Sequence, residues 1–431
     1  MTRSDDIYKR AVEVLPGGVS RNTVLRTPQP YAAFGKGCVI TDLDGVERID
    51  CSNNMASLLH GHSDPDIVDA VSEQLKRGTA FTMATEVEVE YAEHLCSRNN
   101  SFEQCRFVNS GTEAIMACLK ASRAFTSKPM IAKAEGAYHG QYDYAEVSQT
   151  PSPGNWGDIN SPNSVPVAHG TPQSALDDVL VIPFNDSKRA IAILDKNKDK
   201  IACVLLDLMP HRIGLRPADS EFVEEIREWT IHNDVLLVFD EVITFRSEYG
   251  GLQDQYNVSP DLTAMGKAIG GGFPVGAIAG RRDVMDVMNP NNTPLLFPHS
   301  GTFSANPITL TAGLIAMKKF DREAVNRLNK LALEARSGIE EAIRETGATA
   351  CVTGAGSMFR IHMKKNVPKN FREAFLTKDE NARLKHLLDH LFESGFLMIN
   401  TCSAALSTPM TESEINTLIR AIKNGLVINS A

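Results

Sequence analysis

Two residues carry the most chemistry for their surroundings. Lys267 is the only charged residue in LTAMGKAIGGGFPVGAIAG, residues 262–280. An ammonium group taken from water without a partner is disfavoured and tends to lose its proton. Such a stretch is either a flexible glycine loop with a solvated lysine, or a place where a lysine is kept neutral and reactive. Asp240 ends the apolar run VLLVFD, the position where open parallel sheets meet their ligands. Taken singly, it is equally a helix cap or a solvated strand end. A strand-end carboxylate followed by an isolated lysine suits pyridoxal phosphate. The amine holds the aldehyde covalently, and the carboxylate pairs with the pyridine nitrogen and keeps it protonated. Glycines beside the lysine then let cofactor and substrate approach closely.

The elements that position this pair follow from the apolar pattern. RFVNSG, PMIAKAEG, IACVLLDLM, VLLVFDEV and VGAIAGRR have the apolar runs of buried strands. Between them, TEAIMACLKASRAF and SEFVEEIREWTIHN carry apolar residues at helical spacing. The alternation predicts an α/β fold with a mainly parallel sheet covered by helices. CVITDLDG and ERIDCS suggest a hairpin within an N-terminal segment, residues 1–60. Residues 61–310 form the large domain, with an irregular stretch at 148–175 expected to be a lid or disordered. Residues 311–431 form a smaller α+β domain, to which the N-terminal segment contributes.

Composition narrows the function classes. The 431 residues carry a formal net charge of −9 without a long basic run, so nucleic acid is not an expected partner. The N-terminal MTRSDDIYKRAVEVL is an amphipathic helix and lacks the apolar core of a signal peptide. No segment is apolar enough to span a bilayer. The eight cysteines are scattered without a CxxC pair, as thiols in a reducing cytoplasm would be. GGGFPVG lacks both nucleotide-loop spacings. His60 and His62 lack the further ligands of a metal site, so no metal is expected.

Across nearly its whole length the chain resembles the class III aminotransferases of pyridoxal phosphate fold type I. The pattern is nearest to glutamate-1-semialdehyde 2,1-aminomutase and to relatives that transaminate β-amino acids. The matching segments are LPGGVSR, FVNSGTEA, YHG, PFND, VFDEV, PDLTAMGKAIGGGFPVGA and GTFSANP. The resemblance implies pyridoxal phosphate held by Lys267, with Asp240 at the pyridine nitrogen. It implies a phosphate cradle of Ser110, Gly111 and Thr112, which a helix N-terminus supports independently and an ordinary cap explains equally well. It also implies that Tyr138 stacks on the cofactor ring. Thr302 would reach the phosphate in the neighbouring subunit, making a homodimer with shared sites. Arg21 is the matching arginine for a substrate carboxylate, with Arg26 its competitor.

Two departures bear on the substrate. Where relatives have Glu-Pro and then small residues, this chain reads DLMPHRIG. Arg212 thereby falls where the family approaches the cofactor's 3-hydroxyl; it would contact that oxygen, a substrate anion or a lid carboxylate such as Asp158. Near the C-terminus, INTCSAALST has neither the mutases' glutamate nor the arginine of some β-amino acid transaminases. The expected activity is ping-pong amino transfer between a carboxylate-bearing amino acid, α, β or ω, and an oxo acid. A 2,1-aminomutase and an inactive cofactor-binding scaffold are the alternatives.

Overall fold

Asp207 and Asp240 end neighbouring strands and are paired across them, Cα against Cα. The computed structural model, which describes residues 2–428, places these strands at the centre of a seven-stranded sheet. In spatial order its strands are Gln104–Val108, Gly276–Gly280, Leu262–Gly266, Leu236–Asp240, Ile201–Asp207, Met130–Ala134 and Val179–Ile182. Gly276–Gly280 runs antiparallel to both its neighbours, and the other pairings are parallel. The mainly parallel α/β architecture is therefore the one the apolar runs predict. Two strands have no matching run in that prediction. Val179–Ile182 is a four-residue edge strand, too short for a periodic signal. Leu262–Gly266 holds Thr263 and Gly266 in place of bulky apolar residues.

Helices cover the sheet as their spacing dictates. Gly111–Thr126 buries Ala114, Ile115, Ala117, Cys118, Leu119 and Ala121. Ser220–His232 buries Phe222, Val223, Ile226 and Trp229, one apolar stripe. The N-terminal helix Arg3–Val14 starts at a reciprocal cap, in which Thr2 and Asp5 each satisfy the other's backbone N–H.

The hairpin of Val39–Asp42 and Glu47–Asp50 forms as expected, and Glu47–Asp50 pairs in parallel with Phe396–Leu397. The N-terminal and C-terminal segments thus share a sheet. We propose on this ground that residues 1–60 and 311–431 act as one lobe against residues 61–310. A second small sheet joins Cys351–Thr353, Met358–His362 and Ser403–Ala405, all antiparallel. The long helix Arg322–Thr346 packs Leu328, Ala335 and Ile339 into one core with Ile415, Leu418 and Ile422 of the last helix, Glu412–Ile428.

Residues 148–175 contain more structure than a bare loop. Gly157–Asp158 pairs with Ser161–Pro162. Ser148 is buried and donates its N–H to Val165 O at 2.8 Å and its hydroxyl to Asn163 O at 2.7 Å. Arg372, ion-paired to Glu135, donates to the carbonyls of Trp156 and Gly157. Among the described residues all eight cysteines are free, and no helix is long and apolar enough to cross a membrane.

Candidate active site

A cavity of about 530 Å³ opens at the C-terminal edge of the large sheet. Its wall brings together Arg21, Ser110, Gly111, Thr112, Tyr138, Asp240 and Lys267. Of the residues expected at the site, Arg212 and Thr302 are not on this wall. Thr302 lines a separate, larger cavity of about 960 Å³ that contains no part of the lysine–aspartate pair.

Lys267 follows directly on the strand Leu262–Gly266, whose Ala264 is the register partner of Asp240. Its backbone sits at φ 48°, a left-handed conformation that costs a residue with a Cβ on the order of 1–2 kcal/mol. Loss of water pushes the Lys267 ammonium below its usual value, and the charges of Asp240 and Asp207 partly offset this. The side chain is therefore a base more readily neutral than a surface lysine. The adjoining glycines permit close packing. A Cβ on Gly266 would stand 3.3 Å from Val242, and one on Gly111 only 2.6 Å from it. Gly271, at φ 57°, lies against the Ala312 carbonyl, which a Cβ would meet at 2.4 Å.

Asp240 is buried, and its two oxygens are differently occupied. Oδ1 accepts the Val242 N–H at 3.0 Å, and Oδ2 lies 2.7 Å from His139 Nδ1. Burial holds His139 below the usual imidazole range, so the ring is neutral. An ionised carboxylate only accepts, so the proton sits on Nδ1. Nε2 is left buried without a partner among the described residues. Nothing local in AEGAYHG marks His139, the polar neighbour of Tyr138, because its partner Asp240 is distant in sequence. Asp207 joins the site only through the pairing of its strand with that of Asp240. Burial first, and then the charge of Asp240, push its carboxyl well above the usual range. Two carboxylates at one strand edge do not both ionise freely.

The same cavity wall carries the N-terminus of Gly111–Thr126, with Gly111 close to Gly266, the residue before Lys267. Ser110 caps this helix, its Oγ accepting the Glu113 N–H at 3.1 Å. The hydroxyl proton remains free to donate, as do the first-turn N–H groups of Gly111 and Thr112, which have no intrahelical acceptor. Cap and anion cradle are therefore compatible. Helix N-terminus, neutralisable lysine and strand-end carboxylate lie on one wall, in a volume suited to a cofactor. The unpartnered His139 Nε2 adds a buried polar group to the same wall. These residues fit pyridoxal phosphate.

Arg21 enters from the N-terminal segment and donates to Asn54 Oδ1 at 2.6 Å. Asn54 belongs to a left-handed turn in which Asn53, Asn54, Met55 and Ala56 all have φ between 45° and 66°. Such strain persists where neighbours impose it, and here it turns Asn54 toward the arginine. Arg26 is engaged elsewhere, ion-paired to Asp389 at 2.8 Å and stacked on Phe392. Arg212 lies over the Tyr138 ring at 5.2 Å and donates weakly to Gln149 O. Asp158 instead accepts from Asn160. His60 contacts Ala316 O and Thr408, and His62 contacts Asp50. Glu241 is buried and accepts from Thr244, Leu252 and Gln253.

Sheet, strand-edge carboxylates and lysine together define a fold type I pyridoxal phosphate enzyme. Residues 27–420 match the model of the family "Aminotransferase class-III", and the chain belongs to that family. It is 37% identical over 395 residues to the glutamate-1-semialdehyde 2,1-aminomutase of Methanothermobacter thermautotrophicus, covering 91% of each chain. Among solved structures, an omega-transaminase from Sphaerobacter thermophilus superposes with a TM-score of 0.97 and 45% identity, over 100% of this chain and 98% of that one. A transaminase solved with pyridoxal phosphate bound superposes at 0.91 with 38% identity, over 99% and 97%.

Proposed function

We propose that this enzyme transfers an amino group between a carboxylate-bearing amino acid, β- or ω-amino acids included, and an oxo acid in two half-reactions. One observation carries this choice over the mutase: the distribution of charge around the cavity. Its carboxylates, Asp207 and Asp240, both end sheet strands, whereas the N-terminal segment contributes Arg21. A diamine held for internal transfer would find no further carboxylate there among the described residues. A carboxylate would find a guanidinium. The likeness to an omega-transaminase at 45% identity supports the same reading. The mutase alternative draws on curated relatives of that name.

When bound, pyridoxal phosphate would supply the aldehyde that takes up the substrate nitrogen and a ring that accepts the electron pair of the C–H bond broken at the carbon bearing that nitrogen. The chain's residues do the rest. Ser110, Gly111 and Thr112 would hold the phosphate, and Tyr138 on the same wall would pack against the ring. Asp240, oriented by His139, would pair with the ring nitrogen and keep it protonated. Lys267 would hold the cofactor and would serve as the base that moves the proton at the carbon bearing the substrate's amino group. Arg21, held by Asn54, binds the carboxylate, and Arg212 sets the far side of Tyr138.

The functional unit in this proposal is a cytoplasmic homodimer. Thr302 shares its cavity with Phe81, Met83 and Val89, apolar side chains 51%, 83% and 57% exposed in the single chain. A second copy covering this face would bring Thr302 to the neighbouring site. Mixing the yellow holoenzyme with α-, β- and ω-amino acids tests the function. Bleaching by a donor, with turnover that requires an oxo acid and follows ping-pong kinetics, is expected. Conversion of glutamate 1-semialdehyde to 5-aminolevulinate without any acceptor would replace it with the mutase reading.

A further inference from the structure

Lys133 is a second lysine drawn out of water, and it takes no part in the chemistry described above. It stands on the strand Met130–Ala134, 0% exposed, and among the described residues no other lysine is buried. Nζ donates to Ala137 O at 3.0 Å and to Val147 O at 2.6 Å. Both partners are carbonyls, and neither carries a full charge. Burial first, then the charge of Arg212, lowers the Lys133 pKa to about 7 against the pull of Glu146. As ammonium or as amine it has N–H groups enough for both carbonyls. An ammonium set against neutral acceptors inside a strand is costly, where an apolar side chain would pack without that penalty. Other buried cations also donate to carbonyls, but to different ends. Arg246 divides its guanidinium among Ser357 Oγ and the carbonyls of Ala56 and Leu406, and Arg360 gives Nη1 to the His211 carbonyl. These bonds join segments far apart in sequence. The two bonds of Lys133 close the two ends of a single loop.

That loop carries parts of the active site. Tyr138 and His139 follow Ala137 directly, and both line the cavity with Asp240 and Lys267. His139 holds Asp240 through Nδ1 at 2.7 Å. Gln141 donates its N–H to Thr112 Oγ1 at 3.3 Å, beside the helix N-terminus. The short helix Asp143–Glu146 then returns the chain to Val147. Gly136 donates to Ser148 O at 2.8 Å, so the backbone meets where Lys133 clasps it. The charge of Lys133 also adds to the burial that keeps the His139 ring neutral.

We infer that Lys133 is a positioning residue for the cofactor: by clasping Ala137 and Val147 it fixes the loop that sets Tyr138 on the cavity wall and His139 on Asp240. This rests on the cofactor assignment and holds for either reaction.

Measurements on the holoenzyme test it. The amides of Gly136, Ala145 and Ser148 are bonded to the carbonyls of Ser148, Tyr142 and Val165. In the wild type they should exchange with deuterium roughly a hundredfold or more slower than in an unfolded chain. Exchange at the rate of an open loop overturns the proposal without any variant. Lys133→Met keeps an unbranched side chain of similar length and removes both bonds. It should speed exchange at these amides roughly tenfold or more, as for the loss of a hydrogen bond to a charged group, and leave the helix Ser220–His232 unchanged. The same variant should lose cofactor to dialysis roughly tenfold faster and show a lower kcat per bound cofactor. KM for carboxylate-bearing donors should change little, because Arg21 stands on another segment. A lower unfolding midpoint with cofactor retention and kcat unchanged makes Lys133 a purely structural lysine and overturns the proposal, as does unchanged exchange in the loop. Exchange and cofactor retention are read without turnover, so they decide the matter whether the amino group passes to another molecule or moves internally.

Discussion

Lys267 and Arg360 are both cations drawn out of water, and the charges of both act on one histidine, His211. Their settings are opposite. Lys267 has Asp240 and Asp207 near it, and the competition between burial and these carboxylates leaves its proton exchangeable. Arg360 has no carboxylate, and a guanidinium cannot shed its proton to escape the penalty. The difference separates two kinds of site. Around Lys267 the protein supplies both charges and tunes a proton transfer. Around Arg360 it supplies one charge, set against the carbonyl of His211 and not against a carboxylate.

The lysine side breaks most completely. Lys267→Ala is expected to lower turnover roughly a thousandfold or more, within the range of a lost acid–base group, and to abolish the yellow colour. A variant that keeps both would remove Lys267 from the mechanism. Asp240→Asn should lower kcat roughly ten- to a hundredfold, the equivalent of about 1.5–3 kcal/mol for a hydrogen bond to a charged group. Cofactor retention by equilibrium dialysis, measured beside kcat, separates weak binding from slow chemistry. Near-normal kcat in that variant would mean the ring proton is held by another group.

How much of this was legible beforehand divides along the same line. Asp240, Lys267 and the Ser110–Thr112 turn are set by local rules: a strand end, an isolated cation and a helix N-terminus each leave a mark within a few residues. The fold was legible for the same reason, since apolar runs alternate with helical spacing. The substrate side depends on contacts between distant segments. Arg21 meets Asn54 through a left-handed turn that no propensity predicts. Arg360 meets Ser403 only because two strands pair. His139 was hidden differently. Its importance lies in a bond to Asp240, 101 residues away, and nothing in YHG announces that.

Arg21 and Asn54 sharpen the comparison from the substrate side. Arg21→Ala should raise KM for carboxylate-bearing donors roughly 30-fold or more. KM for an amine without a carboxylate should change little, because only the former loses an ion pair. Asn54→Ala removes a single neutral acceptor and should raise the same KM about two- to tenfold, near 0.5–1.5 kcal/mol. Equal losses with both donor classes would shift carboxylate binding away from Arg21.

The smallest effect concerns His211, where the two sites meet. Burial, followed by the charges of Arg360, Lys267 and Arg212, lowers its pKa from 6.5 to about 3. The folded ring therefore stays neutral where the unfolded one takes a proton. Between roughly pH 6.5 and 3 the unfolded state binds more protons, so stability falls as pH falls. His362, lowered to about 3 by burial and Arg360, adds a contribution of the same sign. His211→Gln removes one such contribution, leaves those of the other buried histidines in place, and can still hydrogen-bond Thr401. Carboxylates titrate alike in both proteins and largely cancel in the difference. Urea unfolding at pH 7 and pH 5 should thus show the variant losing less stability than the wild type. The gap should be about 1–2 kcal/mol at pH 5, the worth of the proton that the unfolded ring binds there and the folded ring does not. Parallel stability curves would show that His211 titrates alike in the folded and unfolded chains, and that the cations around it are screened.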